Sequence, residues 1–457
     1  MNSSIEADAL VSSRANARSL RANVAGALNI GIFYALALVM ALIAVPYGGA
    51  QPWWQAVFEC LAFGLAALAV VERWLRPAEA AQAVPILDSL RRGSGKLLLP
   101  LLALIIFALV QLIPSVRDIA GVNVQWTLSW DPLATKSFIV ELCALIAFAW
   151  LVIRYTTSER RLLFLIEVII TIAFLSALFG LLRQATQQQT GFVLPQLRVG
   201  FGYAQFINTN HFAFLMEMAV GLALGMVVSR GVSRPRVIIF LVAAVVMWLA
   251  VIRGNSRGGI VSMLCQVVLL GIFALSGRRS EGAGKVLESR IKRWAVSLSL
   301  IAVLLIGSVA AVIFVGGDPL ASRMDTLSIE LNQKTAQTYT LRQNIWQATW
   351  ALIKDHPVGG VGFGAYWIAI SQYHRASGET TPQQAHNDYL ELMASGGVIA
   401  LAIGLWFVIV FTGVARRAVH NRSQLRRAVV AGAIVGIITV AIHSLVDFGL
   451  HISINAM

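Results

Sequence analysis

Long runs of apolar residues alternate with short polar and basic segments along most of the chain. At ~1.5 Å per residue, runs of this length cross most or all of a bilayer core ~30 Å thick. Because lipid offers no partner for an unpaired backbone amide, the runs are predicted to be helices. The pattern predicts about eleven spans, near 29–47, 55–71, 97–114, 137–153, 162–182, 211–229, 237–252, 260–276, 295–315, 394–413 and 428–446.

Composition supports an all-α polytopic membrane protein. The 457 residues are 58% hydrophobic and 13% charged, whereas a soluble domain carries roughly a quarter charged residues. The net charge of +14 does not indicate nucleic-acid binding, because basic residues punctuate the apolar runs and form no continuous face. The three cysteines all fall within apolar runs, so no disulfide framework is expected in the polar segments.

The distribution of lysine and arginine predicts the orientation. A cytoplasmic N-terminus places most basic inter-helix segments in the cytoplasm, as expected for a bacterial inner-membrane protein. The chain then divides into helices one to nine (1–315), a large, partly helical periplasmic loop (316–393) and C-terminal helices (394–457). In the loop, 341–355 is predicted to be an amphipathic helix ended by a flexible Gly-rich turn at 356–364, and 364–376 a second short helix.

Several ionisable side chains fall within predicted spans, where they are costly and often functional. For Glu59, Glu141 and Glu167 the sequence favours a packing role near helix ends, and the pair His443 and Asp447 also qualifies.

Glu217 lies two turns into a span that opens with Asn210 and His211, so these three are predicted to line a substrate-binding cavity. In the turn between two spans, Arg253 and Arg257 are predicted to clamp an anion at the outer surface, because arginine forks match phosphate oxygens. Snorkelling to the lipid headgroups is the alternative for both arginines.

His386 lies just before a predicted span, at the same membrane level as the two arginines. A neutral imidazole beside arginines is a plausible general base, whereas His374 and His420 are expected to be solvated. Asp388 is the only acid adjoining His386 in sequence. No metal-ligand spacing occurs, so no metal or other cofactor is expected.

The ordered motifs resemble the O-antigen ligase/polymerase superfamily. These motifs are VPYGG at 45–49, FINTNHFA at 206–213, SRGG at 256–259, RQNIWQA at 342–348, DHPVGGVGFG at 355–364 and HNDYL at 386–390. The resemblance implies a GT-C-type glycosyltransferase that needs no metal. It also implies a glycan donor on undecaprenyl diphosphate and, as acceptor, a lipid A core (ligase) or another lipid-linked repeat unit (polymerase, in O-antigen or exopolysaccharide synthesis).

By the same resemblance, His386 is the base, while Arg342 and Arg257 hold the diphosphate and Arg253 contributes less. Tyr389 is one of several loop aromatics that could stack on sugars. Two features depart from the family. Relatives often have twelve spans, and Thr209 stands where they often carry arginine.

Two other function classes remain open. A transporter or flippase for lipid-linked glycans predicts inverted repeats and charges at the bilayer midplane, whereas the candidates here concentrate at the outer surface. A structural or receptor-like membrane protein predicts no loss of activity from single loop substitutions.

Overall fold

The structure is a computed structural model that describes residues 2–76, 93–119, 122–186, 194, 197, 202–276, 342–374 and 382–457. Within these residues the fold is helical, apart from one antiparallel hairpin. Its strands are β1 (Ser115–Ile119) and β2 (Val122–Trp126), with Ser115 opposite Trp126.

Thirteen α-helices lie in the described residues. They are α1 (Asn2–Ala44), α2 (Pro52–Leu75), α3 (Leu98–Gln111), α4 (Pro132–Tyr155), α5 (Glu159–Ala185), α6 (Thr209–Val228), α7 (Arg234–Arg253), α8 (Arg257–Ser276), α9 (Arg342–Asp355), α10 (Tyr366–Ala369), α11 (Asp388–Val419), α12 (Gln424–His443) and α13 (Ser453–Ala456).

The prediction of an all-α polytopic membrane protein is confirmed. Eight of the described helices are long and apolar enough to cross a membrane, and two shorter apolar helices lie at Gly95–Gln111 and Arg257–Phe273. Together they account for ten of the predicted spans. The span predicted at 295–315 lies outside the described residues, as do 316–341 and 375–381 of the large loop.

Two helices begin before the spans predicted for them. Helix α1 starts far earlier than residue 29, and its candidate span begins at Ser19. Helix α11 begins at Asp388, six residues before the predicted start of the span, because the Asn387 side chain accepts hydrogen bonds from the backbone amides of Tyr389 and Leu390. Such a cap satisfies amides that have no partner within the helix.

Helix α6 forms the centre of the bundle. Its apolar window is 83% buried, against 6% for that of α11. Gly221 and Gly225 of α6 face Gly436 and Gly432 of α12 so closely that a Cβ on either α6 glycine would overlap the facing backbone. Small residues let membrane helices pack at short range, so these glycines fix α12 against α6.

The described part of the large loop packs against the start of α11. The predicted amphipathic helix is confirmed as α9, which buries Ile345, Thr349 and Leu352. The second short helix is confirmed as α10, followed by a 3-10 turn. The Gly-rich turn is held by hydrogen bonds. The Val361 and Gly362 amides donate to the carbonyls of Ala394 and Ser395, at 2.9 and 3.0 Å.

Candidate functional site

Five chain segments meet at one end of the bundle. They are the start of α6, the turn between α7 and α8, the start of α9, the residues before α11 and the segment after α12. This convergence follows from the helix directions, since α6, α8 and α11 begin where α7 and α12 end. The C-terminal segment 447–457 also folds back here, where the Asn455 amide donates to the His211 carbonyl at 3.0 Å.

Asp447 lies at the centre of this end and is almost completely buried, with a side-chain exposure of 1%. Its Oδ2 accepts hydrogen bonds from Arg342 Nη2, at 3.2 Å, and from the Asn210 side-chain amide. Its Oδ1 accepts from the Phe448 backbone amide at 2.9 Å and lies 3.6 Å from His386 Nδ1. A single carboxylate therefore joins an arginine, a histidine and an asparagine.

Burial pushes the pKa of Asp447 upward, but His386, Arg342 and the Phe448 amide outweigh burial and hold that pKa at about 2. Asp447 is consequently ionised at neutral pH. A buried, permanently negative group beside an imidazole orients the ring.

Arg342 is the first residue of α9, and its side chain is 45% exposed. A guanidinium has five donor hydrogens, so one contact with Asp447 leaves donors that point elsewhere. Arg342 can thus hold an external anion while it remains anchored to the protein.

His386 adopts a left-handed backbone conformation, with φ of 50°. This conformation is uncommon for a residue with a side chain, and at functional sites it is held by its surroundings. Two hydrogen bonds of the neighbouring Ala385 stabilise this backbone conformation. Its carbonyl accepts from Trp346 Nε1 at 3.0 Å, and its amide donates to Glu391 Oε2 at 2.9 Å. The His386 side chain is 33% exposed, so substrate can reach it.

The Phe448 ring lies among three imidazoles. His211, His386 and His451 contact it edge-on, with ring centroids 4.8, 4.9 and 6.1 Å away. Phe448 follows Asp447 directly, so one short segment positions both the carboxylate and an apolar wall for His386.

Asn210 connects the Asp447 cluster to the turn between α7 and α8. The Asn210 side-chain oxygen accepts from Ser256 Oγ at 2.6 Å, and Arg257 follows Ser256 as the exposed first residue of α8. The backbone of Arg257 therefore lies beside the cluster. Arg253, at the end of α7, donates from Nε to Gln184 of α5 at 3.0 Å, which directs its side chain toward α5.

Glu217 does not line the site surface, which corrects the expectation of a cavity wall. It is completely buried, and its Oε1 accepts from Ser262 at 2.6 Å and contacts His443 Nδ1 at 2.7 Å. The His443 ring packs against Gly258, beside Arg257. His443 and Asp447 are therefore not partners. His443 pairs with Glu217 in a layer beneath the Asp447 cluster.

The aromatic residues of the loop divide into two groups. Tyr389, Trp350 and Trp367 are between 41% and 47% exposed, and the Tyr389 hydroxyl donates to the Ala441 carbonyl at 2.7 Å. Tyr366 is 1% exposed and bonds Thr349 at 2.6 Å, so it belongs to the core and cannot stack on a sugar.

Two further glutamates were expected to have packing roles, and two histidines were expected to be solvated. Glu141 lies within 3.5 Å of Ser453 Oγ, and Glu167 pairs with Arg236 at 2.7 Å, in keeping with packing roles. His374 is buried, so the expectation of a solvated ring was wrong there. His420 is exposed as expected.

The sequence also missed the carboxylate contacts of His386 and His451. Asp388 adjoins His386 in the chain, but its Oδ1 faces His451 at 3.5 Å, and Glu391 lies at the same distance from His451. The acid that faces His386 is Asp447, which is distant in sequence. In the part of the chain that the structure describes, no group of three or more His, Cys, Asp or Glu side chains could hold a metal ion.

Residues 242–405 match the family model for O-antigen ligase. The matched region contains Arg253, Arg257, Arg342, His386 and Tyr389, whereas Asn210 and Asp447 lie outside it. A search of curated proteins found no match.

Proposed function

We propose that this chain is a member of the O-antigen ligase/polymerase superfamily, whose O-antigen ligase family model matches residues 242–405, and that it transfers a glycan from undecaprenyl diphosphate. The family match supports the general assignment of the chain as a membrane glycosyltransferase. We further propose that transfer takes place at the periplasmic leaflet of a bacterial inner membrane. The acceptor is a lipid A core in a ligase or another lipid-linked repeat unit in a polymerase.

The observation that carries the proposal is the arrangement around Asp447. His386 and Arg342 contact opposite oxygens of one buried carboxylate, at 3.6 and 3.2 Å. Transfer from a sugar diphosphate requires a base for the acceptor hydroxyl and positive charge for the departing diphosphate. This pair supplies both within one cluster.

In the proposed reaction, the acceptor oxygen attacks the anomeric carbon as the bond from that carbon to the diphosphate oxygen breaks. His386 Nδ1 faces Asp447, so Nε2 takes the proton from the acceptor hydroxyl. Asp447 stabilises the resulting imidazolium, as a carboxylate does in other acid–base sites. The electron pair of the broken bond stays on the diphosphate.

Arg342 and Arg257 bind the diphosphate in this proposal. Both are exposed at the same end of the bundle, and charge-assisted bonds from arginine to phosphate are strong and geometrically specific. Arg253 contributes less, since its side chain bonds Gln184. Asn210 and His211 position Asp447 and Phe448, and Glu217 supports the first turns of α8 through Ser262 and His443. Tyr389 offers an exposed ring to the glycan.

The proposal is tested with the full chain reconstituted in nanodiscs, given an undecaprenyl-diphosphate glycan and either lipid A core or a second lipid-linked unit. His386→Asn tests the base, because asparagine tolerates the left-handed backbone. His420→Asn is the matched control on an exposed helix end. We expect at least a ~10²-fold loss of transfer for His386→Asn and no loss for His420→Asn.

The products of the same reaction separate the alternatives. Glycan on the lipid A core identifies a ligase, and longer lipid-linked chains identify a polymerase. Unchanged transfer in His386→Asn would overturn the catalytic assignment. Movement of the donor between leaflets without any new glycosidic bond would instead identify a flippase.

A further inference from the structure

A second polar cluster lies at the end of the bundle opposite the candidate site. Glu72, near the end of α2, is completely buried. Arg154 of α4 donates to Glu72 Oε2 at 3.1 Å, and Arg76 pairs with the other oxygen. The Tyr155 hydroxyl also donates to Glu72 Oε2, at 3.3 Å.

A third arginine completes this cluster. Arg161 of α5 donates to Asn29 Oδ1 at 2.9 Å and to the Tyr155 carbonyl at 2.8 Å, and its guanidinium stacks on Phe33. The Asn29 amide in turn approaches Glu72 Oε1 at 3.5 Å. Two guanidinium groups therefore contact one carboxylate and a third is joined to it through Asn29, so the cluster has an excess of positive charge.

The arginines retain capacity for an external anion. The side chains of Arg76 and Arg154 are 34% and 23% exposed. A guanidinium has five donor hydrogens, and the contacts with Glu72 use only some of those of each side chain.

An apolar groove of about 360 Å³ lies between α1 and α2, and residues near the cluster in both helices line it. Leu28 of the groove precedes Asn29, and Leu68 lies one turn before Glu72. The groove spans residues 24–35 of α1, which is about 16 Å, or roughly one leaflet of the hydrocarbon core. Its lining residues are Val24, Ala27, Leu28, Gly31, Ile32, Ala35, Leu65 and Leu68.

We propose that this groove binds one acyl chain of an anionic phospholipid whose phosphate contacts Arg76 and Arg154. The surplus charge selects an anionic headgroup, since arginine forks bind phosphate oxygens. The apolar lining of the groove, and its length of about one leaflet, favour the acyl chain of a lipid. The site lies at the opposite end from His386 and does not depend on the proposed function.

The groove is tested in the full chain by placing the photo-crosslinker p-benzoylphenylalanine at position 31. A Cβ at Gly31 meets no atom within 4 Å, and the same is true of Gly64 on α2, which is outside the groove and provides the matched control. Each protein is reconstituted in nanodiscs of equal phosphatidylglycerol and phosphatidylcholine. Adducts are identified by mass spectrometry.

At position 31 we expect about fivefold more adduct with phosphatidylglycerol than with phosphatidylcholine, and no preference at position 64. Arg76→Gln should abolish the preference, while Arg73→Gln on the same helix end should retain it. Equal labelling by the two lipids at position 31 would overturn the proposal. A crosslink to another segment of this chain would also overturn it, because the chain itself would then fill the groove.

Discussion

Replacing Asp447 with asparagine removes the charge that joins His386 and Arg342 while keeping the side chain nearly the same size. The Phe448 amide can still donate to the new Oδ1. The new Nδ2, however, would face the Asn210 amide, which is also a donor. The substitution therefore removes one negative charge and leaves two amide donors facing each other in a buried site.

The electrostatic contribution of the Asp447 charge can be calculated from the pKa of its carboxyl group. Burial raises that pKa, but His386, Arg342 and the Phe448 amide lower it further, from an ordinary 3.8 to about 2. At about 1.36 kcal/mol per pH unit of pKa, the difference corresponds to about 2.5 kcal/mol favouring the carboxylate. If the imidazolium formed during transfer loses a similar amount of electrostatic stabilisation in Asp447→Asn, kcat should fall by about 10²-fold.

The same contacts predict a pH effect on stability. A carboxylate with a lowered folded-state pKa stabilises the fold above its unfolded pKa, and this contribution disappears as pH falls through the folded value. The wild type should thus lose stability between about pH 4 and pH 2 to a greater extent than Asp447→Asn. Thermal unfolding of both proteins across this range measures the difference.

A double substitution distinguishes the effect of the position of the charge on transfer from its effect on the stability of the fold. Asn210→Asp with Asp447→Asn restores one carboxylate and one amide in contact, but it moves the charge away from His386. We expect thermal stability to recover relative to Asp447→Asn while transfer in the nanodisc assay stays low. Full recovery of transfer, or an unaffected kcat in Asp447→Asn alone, would refute the role given to this carboxylate.

Four further outcomes follow from the described contacts. Gly225→Leu should destabilise the bundle by about 1–3 kcal/mol through overpacking, whereas Gly413→Leu should not; thermal unfolding compares them. Glu217→Gln should reduce transfer less than Asp447→Asn, because Glu217 acts only through the layer beneath the site. Arg257→Gln should raise the donor KM more than Arg253→Gln does, and equal effects would contradict the proposed diphosphate contact. EDTA should leave transfer unchanged, and a loss that Mg²⁺ restores would show that arginine does not supply the charge alone.

The sequence was sufficient to predict the membrane fold, because the requirement to satisfy backbone amides in lipid leaves a strong signal in apolar runs. The start of α11 was harder to place. Asn387 caps that helix in a polar stretch, and hydropathy does not register a cap. The hydrogen bonds that hold the Gly-rich turn were also unpredictable, since they join it to Ala394 and Ser395 across the loop.

The candidate site was predictable only in part. His386 and Arg342 lie in short motifs, whereas their shared partner Asp447 comes from a segment far along the chain. Asp388 adjoins His386 in sequence and His443 lies one turn before Asp447, yet Asp388 faces His451 and His443 pairs with Glu217. Helix packing, not spacing, decides which side chains meet.

The central claim is that His386 transfers a proton while arginines bind the donor, and it is tested by measuring donor binding and turnover separately in His386→Asn and Arg342→Gln. We predict that His386→Asn binds the undecaprenyl-diphosphate glycan with nearly unchanged Kd but shows at least a ~10²-fold lower kcat. For Arg342→Gln we predict weaker donor binding. Equal loss of binding and turnover in both variants, or normal turnover in His386→Asn, would contradict this division of roles.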